Sequence, residues 1–312
     1  MHAHTISRRD IWIHMLLYPG HTLPTAAAPV MVAVGLAVHD NVLAGGPALA
    51  ALLAGWLIQL GGVITDNYEN LVRHPNDREH PALVHGLGSG ALTLFGLKAA
   101  ISACYLVAML AGAWLLSIAG IAVLVIGLAS IAASWVYSAG PRPVGSLGLA
   151  DPLFFVFFGT VSVIGAYYVQ AAPLLGVSDF WQFVPTALPF TAVALSLPVG
   201  ALTTNILIID DIRDCEFDVE KGKRTVAVRF GIEWSRREFA MLLIFAYVVP
   251  LWFWLGLGFS VWALLPIVSL PLAIGLVRAV FTLDKFSDLV PMTPKAARLL
   301  LVYSALLAVG VA

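Results

Sequence analysis

Nine apolar stretches, each long enough to cross a bilayer, dominate this 312-residue chain and leave little room for any other organisation. A spanning helix needs about 20 consecutive apolar residues. The stretches run over about 22–41, 46–66, 91–112, 118–138, 152–172, 186–209, 238–257, 260–279 and 295–312, and the third and fourth are nearly continuous, with a boundary expected near Ser117. Composition agrees: 60% of the residues are hydrophobic and 11% charged, where a soluble domain carries about 25% charged residues. A water-soluble fold would have no polar surface to show. The expected class is therefore all-α and polytopic, a single transmembrane domain over 1–312 embedded in membrane lipid. A net charge of −1 gives no electrostatic basis for a nucleic-acid partner.

Charge placement tests the count independently. With the N-terminus inside, the inner segments are about 1–21, 67–90, 139–151, 210–237 and 280–294, and all 17 Lys and Arg residues fall in or close to them. The outer loops hold only Asp40 and Asp179. This one-sided distribution is the positive-inside pattern, which places the N-terminus and the inner loops on the cytoplasmic side of a cell inner membrane. Ser7-Arg8-Arg9-Asp10 looks like a twin-arginine signal, but no small-residue cleavage site follows it. An amphipathic segment lying in the interface is the expected form. Cys104 falls within a span and Cys215 in an inner loop, so no disulfide is expected.

Charges are expensive in such a chain, so their clusters need a reason. The first cluster is Asp66-Asn67-Tyr68-Glu69-Asn70, followed by Asp77 and Glu79, at the inner end of the second span. The second, at the inner end of the sixth, is Asp210-Asp211-Ile212-Arg213-Asp214-Cys215-Glu216-Phe217-Asp218. Asp211, Asp214 and Asp218 stand at i, i+3 and i+7, which puts three carboxylates on one helix face. Like charges so spaced repel by a few tenths of a kcal/mol per pair, and a divalent cation reverses that sign. Mg²⁺ takes one or two carboxylates and completes its shell with water and phosphate oxygens. Asp66 and Asn70 are i, i+4, and Asn67 and Asn70 are i, i+3, so both pairs can face one cavity. Basic residues follow each cluster: Arg73 and Arg78 after the first, Lys221-Gly222-Lys223-Arg224-Thr225 after the second. Carboxylates for metal beside cations for phosphate make a logical site for ionising a diphosphate. A charged, solvated helix cap obeying the positive-inside rule is the alternative explanation of either cluster taken alone.

At these residues the sequence resembles the UbiA superfamily of intramembrane aromatic prenyltransferases, and within it the 1,4-dihydroxy-2-naphthoate prenyltransferase branch of menaquinone synthesis. Four stretches carry the likeness. They are Thr22-Leu23-Pro24 with Ala28-Pro29-Val30; Asp66-Asn67-Tyr68-Glu69-Asn70; Tyr137-Ser138-Ala139-Gly140-Pro141 on through Gly148 and Asp151 to Phe158-Gly159; and Asp211 to Asp218 with Gly222-Lys223-Arg224-Thr225-Val226-Ala227-Val228-Arg229. The last is the most specific. The resemblance implies nine transmembrane helices around a central cavity, with an aspartate-rich motif after the second and the sixth. It implies Asp211, Asp214 and Asp218 as Mg²⁺ ligands, and places Asn67 and Asn70 at the aspartate positions of the first motif and Asp66 at its asparagine position. Those six residues, with Tyr137, are the catalytic candidates; His21, Tyr68, Arg73, Arg78, Arg142, Lys223 and Arg224 are the substrate-binding ones. The chain departs from the family at three places: Asp and Asn are exchanged at the opening of the first motif and its second aspartate is lost, His21 replaces a basic residue, and Asp151 replaces a glutamate.

The implied reaction uses two Mg²⁺ ions, an allylic prenyl diphosphate as donor and an aromatic acceptor. Tyr68 and Tyr137 are placed to offer aromatic faces to an allylic cation. Cyclisation of the prenyl diphosphate without an acceptor is the alternative within the same fold. A secondary transporter would carry its ionisable groups near the bilayer midplane, whereas here they stand at one face. A scaffold that keeps the motifs without turnover is a further alternative.

Overall fold

The computed structural model describes residues 9, 11–13, 22–76, 80–176 and 189–312. Its principal helices, in chain order, are α1 (Thr22–His39), α2 (Gly45–Arg73), α3 (Leu94–Ala119), α4 (Ala122–Ser138), α5 (Ala150–Leu175), α6 (Phe190–Glu220), α7 (Ile232–Gly256), α8 (Val261–Thr282) and α9 (Met292–Val311). Short helices at Pro81–Gly88, Val226–Phe230 and Phe286–Leu289 lie in the connections. No strand occurs among the described residues. In a bilayer this follows from backbone chemistry, because only a helix or a closed barrel satisfies every N–H and C=O without water.

Seven stretches are long and apolar enough to cross a membrane: α2, α3, α5, α6, α7, α8 and the Phe286–Val311 stretch containing α9. The expected first and fourth spans correspond to shorter apolar helices, Leu23–His39 and Ala122–Ser138. Large apolar side chains point outward, among them Phe95, Leu110, Ile244, Leu255 and Val309. With no water-compatible coat over these faces, the molecule is an integral membrane protein.

Three helix ends sharpen the expected picture. The nearly continuous apolar run over 91–138 breaks at Gly120, whose φ of +79° reverses the chain between α3 and α4. A side chain would strain that backbone, so the glycine sets the boundary rather than Ser117. The helices α2 and α6 also overshoot their apolar spans, continuing from residue 66 to Arg73 and from residue 209 to Glu220. Both acidic motifs therefore ride on rigid helix rather than on loops.

The central element is α6. Of its most apolar window 89% is buried, against 17% for α3, which makes α6 the pillar and α3 a lipid-facing helix. The main core gathers around α6 from α1, α5, α7, α8 and α9, with Val163, Leu195, Val199, Leu202, Phe239 and Tyr303 inside it. The approach of α5 to α6 is close enough to exclude side chains. A Cβ on Gly159 would lie 2.5 Å from the Gly200 Cα, and one on Gly200 would lie 2.7 Å from the Phe155 carbonyl. Over Phe155–Val161 α5 relaxes to i→i+5 hydrogen bonding, a local widening that recurs at functional sites. At the other end of the bundle Tyr167 donates to Asp40, 2.7 Å away, tying the C-terminus of α1 to α5.

Candidate active site

A large cavity, about 750 Å³, lies among α1, α2, α3, α4, α5 and α6. One end of it is polar and is walled by the C-terminal ends of α2, α4 and α6 with the loops at 143–146 and 221–225. From there it follows α2 back from Asp66 to Ala51, a run of about 22 Å at 1.5 Å per residue. Its far walls are apolar: Ala54, Leu115, Leu116, Val123, Ile126 and Val169. The cavity is thus a polar vestibule leading into a greasy channel.

Both acidic clusters face it. Asp66, Asn67 and Asn70 from α2 line the same space as Asp211, Asp214 and Asp218 from α6. On α2, the carboxylate of Asp66 is held at both oxygens: Ser138 Oγ donates to Oδ1 at 2.9 Å and Asn70 Nδ2 donates to Oδ2 at 3.0 Å. With its amide nitrogen so used, Asn70 keeps its carbonyl oxygen for another partner. Glu69 is paired with Arg73 at 2.8 Å, and Arg73 also donates to the Gly140 carbonyl at 2.6 Å. That contact fastens the end of α2 to the turn after α4. On α6, Asp211, Asp214 and Asp218 are each less than a tenth exposed, a costly arrangement for three carboxylates without cations. Lys223 approaches Asp218 Oδ1 at 3.0 Å. Arg213 reaches Asp214 through Nε and Nη2, at 2.6 and 2.5 Å, and Asp210 through Nη1 at 2.5 Å.

Tyr137 lines the vestibule and opens an aromatic shelf. Its ring lies 5.4 Å from that of Phe154, which lies 4.8 Å from that of Phe158. Phe158 belongs to the widened segment of α5, which brings it to the wall. Gly145 lets the following turn pass under the tyrosine, for a Cβ there would stand 3.1 Å from its ring.

The cavity unites nine of the residues singled out from the sequence: Asp66, Asn67, Asn70, Arg73, Tyr137, Asp211, Asp214, Asp218 and Lys223. It does not include Tyr68, Arg142 or Arg224. Tyr68 is two residues from Asp66, about 200° round the helix, and packs toward Ile64, Leu71 and Leu83 with the Lys98 ammonium 5.3 Å from its ring. Arg224 turns to a separate shallow cleft with Val228, Arg229 and Phe230, while its backbone N–H donates to Ser146. His21 and Arg78 lie outside the described residues, as do Asp77 and Glu79. Lys221, one of the basic residues expected after the second cluster, also lines the vestibule, as do residues given no role from the sequence: Ser138, His74, His80, Asp210 and Arg213. Ser138 and Arg213 stood inside the motifs, but nothing in their spacing told which partner each would meet. Asp151 is buried, and both its oxygens lack a hydrogen-bond partner among the described residues.

Among the described residues no three His, Cys, Asp or Glu side chains close a metal cage by themselves. The donors are hard oxygens split between two facing helix ends. This set fits Mg²⁺, which leaves much of its shell to water and phosphate, and does not fit a soft or tetrahedral metal.

Fold and site together define an integral membrane protein with a buried, acidic and cation-flanked vestibule opening into an apolar channel. The UbiA prenyltransferase family matches residues 22–288, and the chain belongs to that family. It is 31% identical to the 1,4-dihydroxy-2-naphthoate octaprenyltransferase of Escherichia coli (strain K12), over 94% of this chain and 91% of that one. The protein of the same name from Mycobacterium leprae (strain TN) is 26% identical over 87% and 86%. Among solved structures, the apo structure of a UbiA homolog from Aeropyrum pernix K1 matches with a TM-score of 0.70 at 15% identity, over 90% of this chain and 96% of that one. A UbiA homolog from Archaeoglobus fulgidus bound to GPP and Mg²⁺ matches with a TM-score of 0.60 at 17% identity, over 94% and 98%. At such identities the structural likeness speaks for the fold.

Proposed function

We propose that the protein transfers a prenyl group from a long-chain allylic diphosphate to 1,4-dihydroxy-2-naphthoate within the membrane. The observation that carries this reading is the junction of two facing acidic helix ends with a long apolar channel in one cavity. The vestibule suits a metal-bound diphosphate, and the channel suits the prenyl chain attached to it. Relatives named 1,4-dihydroxy-2-naphthoate octaprenyltransferases support the acceptor and a long chain. The positive-inside pattern supports nine spans with the N-terminus and the vestibule on the cytoplasmic side of a cell inner membrane.

Asp66, with the side-chain oxygens of Asn67 and Asn70, would hold one ion, and Asp211, Asp214 and Asp218 another. Bound there, Mg²⁺ supplies Lewis-acid stabilisation of the departing diphosphate. Arg73, Lys221 and Lys223 stand at the vestibule and take up phosphate charge as the allylic C–O bond breaks, its electron pair leaving with the diphosphate. The rings of Tyr137, Phe154 and Phe158 line the cavity and offer aromatic surface to the allylic cation. The apolar walls keep water from quenching it. The acceptor ring then forms the new C–C bond, and loss of its carboxylate as CO₂ accompanies the attack.

The test is a nanodisc assay with Mg²⁺ and farnesyl or geranylgeranyl diphosphate, with and without 1,4-dihydroxy-2-naphthoate, reading diphosphate release and lipid products by mass spectrometry. A prenylated naphthoquinol formed only with acceptor supports the proposal. Release with a hydrocarbon product and no acceptor points to cyclisation, and no release under any condition removes the metal–diphosphate reading.

A further inference from the structure

The guanidinium of Arg213 is engaged through all three of its nitrogens, and sequence spacing gave it no role. Its Nε and Nη2 edge grips Asp214, donating to Oδ1 at 2.6 Å and to Oδ2 at 2.5 Å. The remaining nitrogen, Nη1, donates to Asp210 Oδ1 at 2.5 Å and to Thr293 Oγ1 at 3.1 Å. Thr293, fully buried in the first turn of α9, donates in turn to the same Asp210 oxygen at 2.5 Å. Behind the guanidinium the Phe286 ring lies 5.8 Å away, braced edge-on by Phe217. Arg213, Asp210 and Asp214 all line the cavity, and their side chains are only 11–18% exposed.

The two edges of Arg213 are therefore held differently. One is anchored to Asp210 and Thr293, neither of which was singled out as a metal ligand. The other occupies both oxygens of Asp214, a residue assigned to the metal. A divalent ion reaching Asp214 at about 2.1 Å would meet a unit positive charge already at hydrogen-bond distance from the same oxygens, and the two cations repel strongly in a partly buried site. An incoming diphosphate changes this balance, because Arg donates bidentately to phosphate oxygens as readily as to carboxylate.

The geometry points to Arg213 as an internal counter-ion that occupies Asp214 until an anionic substrate draws its Nε and Nη2 edge away, so that metal and diphosphate load together rather than metal first. This inference rests on the metal–diphosphate reading of the vestibule. It makes Arg213 a positioning residue and Thr293 the peg that keeps it within reach of both partners.

The experiment measures Mn²⁺ binding by electron paramagnetic resonance, on the full chain in nanodiscs, without and with inorganic diphosphate. The wild-type protein, Arg213→Gln, Arg213→Lys, Thr293→Val and Asp214→Asn are compared, and a thermal unfolding midpoint is taken for each. The wild type should bind Mn²⁺ weakly alone and markedly more tightly once diphosphate is present. Arg213→Gln should bind Mn²⁺ alone roughly tenfold to thirtyfold more tightly, the scale of removing one unit charge beside a divalent ion at high dielectric, and lose most of the diphosphate enhancement. Arg213→Lys keeps charge without the fork and should fall between. Thr293→Val leaves both partners in place and should move affinity the same way by a smaller factor, which keeps the test alive if the glutamine variant unfolds. Unchanged or weaker Mn²⁺ binding in a folded Arg213→Gln protein overturns the counter-ion role and leaves Arg213 structural. If Asp214→Asn binds Mn²⁺ as well as the wild type does, the metal assignment itself fails, and the two failures are told apart.

Discussion

Ser138 shows how much a single hydroxyl can carry in this site. The first motif offers one carboxylate, Asp66, that is not paired with an arginine, and Ser138 and Asn70 hold its two oxygens. Removing the hydroxyl in Ser138→Ala takes away one charge-assisted hydrogen bond, worth about 1.5–3 kcal/mol. We expect the unfolding midpoint to fall by several degrees and kcat/KM to fall about tenfold or more, both with recovery in Ser138→Thr; thermal unfolding and a steady-state assay on the three proteins check this. The carboxylates of the second motif bear more directly on the chemistry. Asp214→Ala or Asp218→Ala should reduce turnover on the order of 10²–10³-fold, the scale of losing one preorganised electrostatic partner, while the protein still folds. Retained diphosphate release in either variant sinks the metal assignment. The acids were legible in the sequence because helical spacing alone puts them on one face. Ser138 and Arg213 were not, since a serine or an arginine inside a motif has no defined partner until the helices are packed.

At the scale of the helix, two features build the site: the overshoot of α2 and α6, and the glycine contact between α5 and α6. Hydropathy marks the end of an apolar span, not the end of a helix, so the sequence placed both motifs at span ends. Their i, i+3, i+4 and i+7 spacing already implied that the helix runs on, and it does so to Arg73 and Glu220. The widened turn of α5 had no such sign, because i→i+5 bonding reflects the fit against α6 and not the local composition. Gly159→Ala would place a methyl group 2.5 Å from the Gly200 Cα. Overpacking of this kind costs about 1–3 kcal/mol, and here it also shifts Phe158 against Phe154. The expected result is a lower unfolding midpoint together with reduced activity, read by thermal unfolding in detergent beside the transfer assay. An unchanged midpoint would mean that the two helices are less tightly apposed than the structure gives.

Over the whole molecule, the cavity and the membrane orientation are one question. If the inner loops are cytoplasmic, Cys215, a free and partly exposed thiol on the overshooting end of α6, should react with a membrane-impermeant maleimide in inverted vesicles and not in intact right-side-out ones. The buried Cys104 should stay unlabelled from either side. Labelling of Cys215 from outside would reverse the topology and the direction of substrate access. Chelation bears on the vestibule as a unit: EDTA should abolish diphosphate release and Mg²⁺ restore it, with the fold retained throughout, since the core around α6 is held by apolar packing.

By itself the sequence determined the class, and it supplied the expectations for the polarity across the membrane and for the chemical type of the site. Those properties are sums over local features: apolar length sets spans, basic residues set sides, and carboxylate spacing sets a helix face. Only the tertiary structure decided which of the candidates share a cavity. It brought Asp66 and Asp214 to one vestibule, turned Tyr68 and Arg224 away from it, gave Asp66 to Ser138, and seated Arg213 between Asp210, Asp214 and Thr293. Such assignments depend on helix rotation and on contacts between residues as distant as 210 and 293. A helix carries its faces in its sequence, but which neighbour each face meets is settled by packing against all the others at once.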